Sequence, residues 1–142
     1  MPLSPDLIAR YENADYVVFG ATSGAPELVL RIGEPSARLD KLLAAEGATT
    51  AAYITAANPR GEQKTEAENA AAVITLHELV VAAGYPRHPG EGRDPEGRWP
   101  PEPSLLIVGI YRANAQKLGR LFEQNAIVFV QKGGAPELVV LV

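Results

Sequence analysis

Apolar positions recur along the chain in two rhythms, and the switches between them mark the elements. Leu7, Ile8 and Tyr11 follow Ser4-Pro5-Asp6, the order of a capped helix with proline in its first turn, where a missing N–H costs nothing. Tyr16-Val17-Val18-Phe19-Gly20 and Glu27-Leu28-Val29-Leu30-Arg31-Ile32 are β-rich runs joined by Ala-Thr-Ser-Gly-Ala-Pro, which predicts a hairpin with a long loop. Between Ser36 and Gly47, Leu39, Leu42 and Leu43 return to helical spacing, so a helix is expected over 37–46. Ala51 to Ala57 reads as a strand stopped by Asn58-Pro59, because proline cannot donate to a ladder. The longest predicted helix covers 66–83. Thr65-Glu66-Ala67-Glu68 matches a capping box, Gly84 a stop, and Val73, Leu76 and Val80 an inner stripe with Asn69 on the same line.

The second half ends in a similar alternation. Leu105-Leu106-Ile107-Val108-Gly109-Ile110 shows no polar alternation, so the strand expected over 104–111 belongs in the interior of a sheet. A helix over 113–124 would bury Ala115, Leu118, Leu121 and Phe122, with Asn125 placed to end it in a left-handed conformation. Strands over 126–131 and 137–142 close the chain. Between the long helix and the apolar strand, 85–103 carries six prolines and three glycines. Asp94-Pro95-Glu96-Gly97 is a turn signal, and the segment is read as a proline-limited hairpin or a lid rather than a disordered linker. The hexapeptide from Gly24 recurs from Gly134, two hairpin turns built with the same chemistry. The resulting order, β-β-α-β-α-β-β-α-β-β after an N-terminal helix, predicts a single α+β domain over 1–142. Its mixed, largely antiparallel sheet would be packed by three to four helices as an α/β sandwich.

Composition narrows the function classes. With 46% hydrophobic and 21% charged residues over 142 positions, the chain is an ordinary globular one, long enough to bury a core without staples. The absence of cysteine excludes disulfides, thiol nucleophiles and thiolate metal sites. No basic segment leads into an apolar run at the start, and no stretch nears the ~20 apolar residues of a span, so a cytoplasmic location without membrane contact is expected. A net charge of −4 argues against a nucleic-acid partner. The local basic group Arg87, His88, Arg93 and Arg98 leaves a small anion open.

Candidate chemistry sits where apolar elements begin or end. Asn58 ends a strand and Asn69 lies in the first turn of the next helix, with Arg60 between them. That corner could hold a carboxylate or phosphate on helix N–H groups and a bidentate guanidinium. Alternatively, Asn58 caps a turn and Asn69 satisfies a backbone group. Glu68 is explained by the capping box. Glu102, after a proline and before a buried strand, is the candidate catalytic residue, a general acid or base, unless it is an exposed strand-end charge. Ser104 has no nucleophile elbow around it, so it is a hydrogen-bonding candidate. His88 is the better placed of two histidines to meet an anion, His77 being a core-edge residue, and Gln124 and Asn125 either cap the helix and orient the last strands or reach into the same pocket. Trp99 either stacks on a ligand or pins the hairpin to the core. Gly90-Glu91-Gly92 is too short for a phosphate loop, and no histidine or carboxylate cluster has metal-ligand spacing, so neither metal nor cofactor is expected. The leading expectation is a pocket for a small polar or anionic molecule, serving hydrolysis or transfer if it is catalytic. The other is a protein-interaction or regulatory module using the 85–103 hairpin or the C-terminal edge strand.

Five separated motifs agree in order with a known family. Thr55 through Pro59, Glu68-Asn69, Gly90 through Asp94 with Trp99, Glu102-Pro103-Ser104 and Gly119 through Asn125 resemble the pattern of the bacterial domain-of-unknown-function 3293 family. The resemblance runs from about Tyr53 to the end and implies no activity. Where that family often has a bulky residue this chain has Ala57, which implies a wider pocket there.

Overall fold

The computed structural model describes residues 3–20 and 27–142. Helix α1, Pro5–Asn13, opens on Ser4, whose hydroxyl accepts from the Leu7 N–H at 3.2 Å. Strands β1, Asp15–Val18, and β2, Leu28–Leu30, form the expected hairpin; its connecting loop, with the first copy of the hexapeptide turn, lies outside the described residues. Helix α2, Ala37–Ala45, is capped by Ser36, and β3, Thr50–Thr55, stops ahead of Asn58. A single 3-10 turn, Pro59–Gly61, leads to α3, Glu66–Ala82, which carries the full Thr65–Glu68 capping box. Strands β4, Arg87–Arg93, and β5, Glu102–Val108, make an ordered hairpin of the proline-rich segment. Helix α4, Arg112–Leu121, and strands β6, Ala126–Gln131, and β7, Glu137–Val140, complete the chain.

All seven strands join one sheet in the order β2-β1-β4-β5-β3-β6-β7, and every described pairing is antiparallel. The fold is α+β, and β5 is its middle strand, as its unbroken apolar run required. Both faces are covered. One carries Leu106, Val108, Tyr53, Val128 and Val18 against Leu39 and Leu43 of α2, and the other carries Leu105, Ile107, Ile54 and Phe129 against Leu76 and Val80 of α3 and Ala115 of α4.

The sheet is strongly curled. Tyr53 on β3 donates its hydroxyl to the Val17 carbonyl on β1 at 2.8 Å, past two intervening strands. In a flat sheet three strand steps span about 14 Å, further than a tyrosine side chain reaches. The α2 face is therefore the concave side of a half-barrel. Gly90 lies under this contact: a Cβ there would stand 1.9 Å from the Val17 carbonyl and 3.0 Å from the Tyr53 hydroxyl.

Two expectations for α4 are corrected. Leu121 is 65% exposed rather than buried, because Gly119 turns to the sheet; a Cβ on Gly119 would meet Ile127 at 2.7 Å and Leu141 at 2.6 Å. The left-handed residue after the helix is Glu123, at φ 55°, while Asn125 uses its amide elsewhere. His77 is exposed and faces the Arg87 guanidinium.

Candidate functional site

Alternation along β5 decides what the concave face offers at each end. Glu102, Ser104, Leu106 and Val108 share one face, running from polar to apolar, and α2 covers only the apolar end. At the polar end two adjoining cavities, of about 80 and 150 Å³, meet over Glu102. Tyr11, Tyr16, Asn58, Gly61 and Gly92 line both. The smaller continues inward to Tyr53, Thr55, Ser104, Gln124 and Asn125, and the larger outward to Leu7, Arg10, Trp99 and Pro100.

Glu102 is held by one bond, from Asn58 Nδ2 to its Oε2 at 2.7 Å. Burial raises its carboxyl above the usual carboxylate range, and the Asn58 hydrogen bond opposes that rise only in part. Among the described residues no lysine, arginine or histidine forms an ion pair with it. Burial also raises the Tyr11 hydroxyl, helped by the Glu102 charge, and it raises Tyr16 and Tyr53. All three phenols are neutral at pH 7. Tyr11 accepts from Asn125 Nδ2 at 3.2 Å, so its own proton remains available as a donor.

Asn58 and Asn69 do meet, and they brace one another. Asn69 Oδ1 accepts the Asn58 N–H at 2.9 Å, and Asn69 Nδ2 returns a bond to Asn58 Oδ1, which also accepts the Lys64 N–H. Asn58 sits at φ 47°, a left-handed conformation that asparagine tolerates. Arg60 at φ 56° and Glu123 at φ 55° are the other non-glycine residues described with positive φ, and the Arg60 N–H donates to the Glu123 carbonyl at 2.8 Å. Three such residues crowd the turn that sets Asn58 against Glu102, so local strain is concentrated beside the cavity.

The structure brings together Asn58, Glu102, Ser104 and Gln124 of the residues singled out, with Asn69 one shell behind. Ser104 donates its hydroxyl to the Glu102 carbonyl, and Gln124 donates its amide to the carbonyls of Ala57 and Phe122. Arg60 is exposed and lines neither cavity. His88 faces the same concave side but lies four residues along β4 from the partner of Glu102, about 13 Å away. There it pairs with Glu46 at 3.0 Å, at the end of α2. The basic group is likewise spent: Arg87 faces His77 and Tyr85, Arg93 holds Glu27 and Glu91, and Arg98 holds Asp94 and Glu96. Ala57 is buried and lines neither cavity, so its small side chain does not widen them.

Trp99 closes the outer cavity, with Arg10 of α1 at 5.6 Å and Arg98 at 5.8 Å from its ring. Asp94 fixes the loop beneath it, accepting from the N–H groups of Glu96 and Arg98 and from the Arg98 side chain. The sequence places Tyr11 and Tyr16 in the apolar pattern of a helix and a strand and gives Tyr53 no role, while Asn125, there a helix terminator or a pocket residue beside Gln124, lines the smaller cavity. The available signal was the shared face of Glu102 and Ser104, which made the neighbouring strands' residues on that face candidates too.

A family model for a protein of unknown function, DUF3293, matches residues 54–127, more than half of the chain. The chain belongs to the DUF3293 family. No curated protein and no solved structure matches it. The DUF3293 segment supplies Glu102, Asn58, Asn69, Ser104, Gln124 and Asn125, whereas Arg10, Tyr11 and Tyr16 reach the cavities from the part preceding it.

Proposed function

We propose that the DUF3293 chain binds a small polar molecule in the cavities over Glu102, and that Glu102 is the group that recognises it or exchanges a proton with it. What carries this reading is a half-buried carboxylate at the junction of two cavities, held by one amide and pushed toward the range useful for acid or base work. Were the site catalytic, hydrolysis or transfer with Glu102 as base is the simplest chemistry for it. Arg60 stands outside the cavities, and the guanidinium that lines the outer one is that of Arg10.

A thermal-shift screen against nucleotides, phosphosugars, amino acids, small carboxylates and amines tests the reading. A specific ligand at a hundred times its Kd stabilises the fold by about 2.7 kcal/mol, and that rise is expected to vanish in Glu102→Ala and persist in Arg60→Ala. A flat screen at saturating concentrations would overturn it.

One observation supports a second reading. The hairpin strand β4 has both edges paired, but β7 is a sheet edge, and its last residue Val140 and Val142 beyond it are 41% and 43% exposed. A partner strand could pair there.

A further inference from the structure

We propose that the molecule bound over Glu102 is a small organic cation, an ammonium or amidinium on a compact apolar body. The inference rests on the reading of this pocket as a ligand site and adds the class of ligand. Carboxylates withdrawn from water are normally matched by a cation or several donors, because the loss of hydration is costly. Half-buried Glu102 has a single amide donor and no ion-pair partner, while its Oε1 stays accessible and has no partner among the described residues. None of the described cations near this end forms an ion pair with Glu102. Arg93 and Arg98 are paired, Lys64 holds Glu62 at 3.4 Å, and Arg10, which lines the outer cavity, is turned over the Trp99 ring. The fold builds the negative half of an ion pair and leaves the positive half to be supplied.

The surroundings suit the rest of such a molecule. Tyr11 and Tyr16 line both cavities and present aromatic surface that attracts cations. Their neutral phenols add no charge, and Leu7, Ala14 and Pro100 make the outer cavity largely apolar. At about 150 Å³ the outer cavity matches the size that admits a benzene ring in a protein interior. An amidinium on such a ring could set one N–H on Oε1 and still leave Oε2 to Asn58, since each carboxylate oxygen accepts two bonds.

Three probes of one shape and different charge test this: benzamidine, benzamide and benzoate. Occupancy is read by thermal shift and by the emission of Trp99, the single tryptophan, which stands in the cavity wall. Benzamidine is expected to bind about tenfold or more tightly than benzamide, and benzoate not to bind. In Glu102→Gln, shown to be folded by its own cooperative melt, the benzamidine advantage is expected to disappear. Tightest binding by benzoate, an advantage undiminished in Glu102→Gln, or silence from all three probes would each overturn the cationic class. If a ligand from the broader screen still moves Trp99 while these fail, the pocket reading survives alone; if none does, both fall.

Discussion

At the scale of the residue, the energetics of the site turn on Glu102. Its carboxyl titrates above its usual value of 4.5 because burial disfavours the charge, and Asn58 returns only part of the lost hydration. Tyr11, Tyr16 and Tyr53 facing it are neutral and Arg10 is exposed, so nothing nearby reverses the sign. A group whose folded value is raised contributes its full stability below its unfolded value and loses that contribution as pH rises through the folded one. Glu102→Gln is therefore expected to be more stable than the parent at neutral pH, by about 1 kcal/mol on the usual scale of single substitutions. The difference should close as pH falls below the ordinary glutamate value. Urea denaturation at neutral and acidic pH measures both; a parent more stable than the variant at neutral pH would mean the carboxylate is compensated. The candidate acid was legible in sequence because a glutamate between prolines and an apolar strand is unusual. Its brace was only half legible. Asn58 and Asn69 were paired correctly by proximity, yet Arg60 was drawn in with them because nothing in a sequence announces a left-handed backbone at arginine.

Among the elements, β4 departs furthest from what its composition suggests. Its sequence, Arg87-His88-Pro89-Gly90-Glu91-Gly92-Arg93, has a proline and two glycines, a composition that ordinarily belongs at an edge or in a loop, yet it lies inside the sheet between β1 and β5. Small residues are what the concave face needs there, because the Tyr53 side chain crosses over it. Gly90→Ala is expected to destabilise the fold by about 1–3 kcal/mol, the cost of overpacking, since its Cβ would collide with the Val17 carbonyl, which is backbone and cannot turn away. Gly92→Ala, two residues on and on the same face, meets nothing within 4 Å and is expected to stay within about 1 kcal/mol of the parent. Denaturant midpoints of the two variants decide the matter, and equal losses would refute the crossing as the reason for Gly90. Sequence spacing sufficed for the hairpin, since Asp94 through Gly97 marks its turn. The interior position was hidden, because it depends on β1 reaching β4 across more than seventy residues.

For the whole molecule, one sheet carries two cores. Leu43 of α2 fills the concave core and Leu76 of α3 the convex one, each fully buried. Leu43→Ala and Leu76→Ala should each cost about 2–5 kcal/mol. Both should depress a single transition seen alike by far-ultraviolet circular dichroism and by Trp99 emission, because the layers share the same strands. Two separated transitions in either variant would show that the layers unfold independently. The order of elements was readable from the alternation of periods, and so was the α+β class. Strand order and curl were not, since they arise from contacts such as Tyr53 to Val17 that join distant segments. The division of the pocket between segments carries a consequence for divergence. Glu102, Asn58 and the Trp99 side of the outer rim come from the matched family segment, while Tyr11, Tyr16 and Arg10 come from α1 and β1, which precede it. A chain that shared only that segment would inherit the carboxylate and its brace without the two phenols that face them. Carboxylate and aromatic wall are thus written in separate stretches of the polypeptide, and each can change while the other stays.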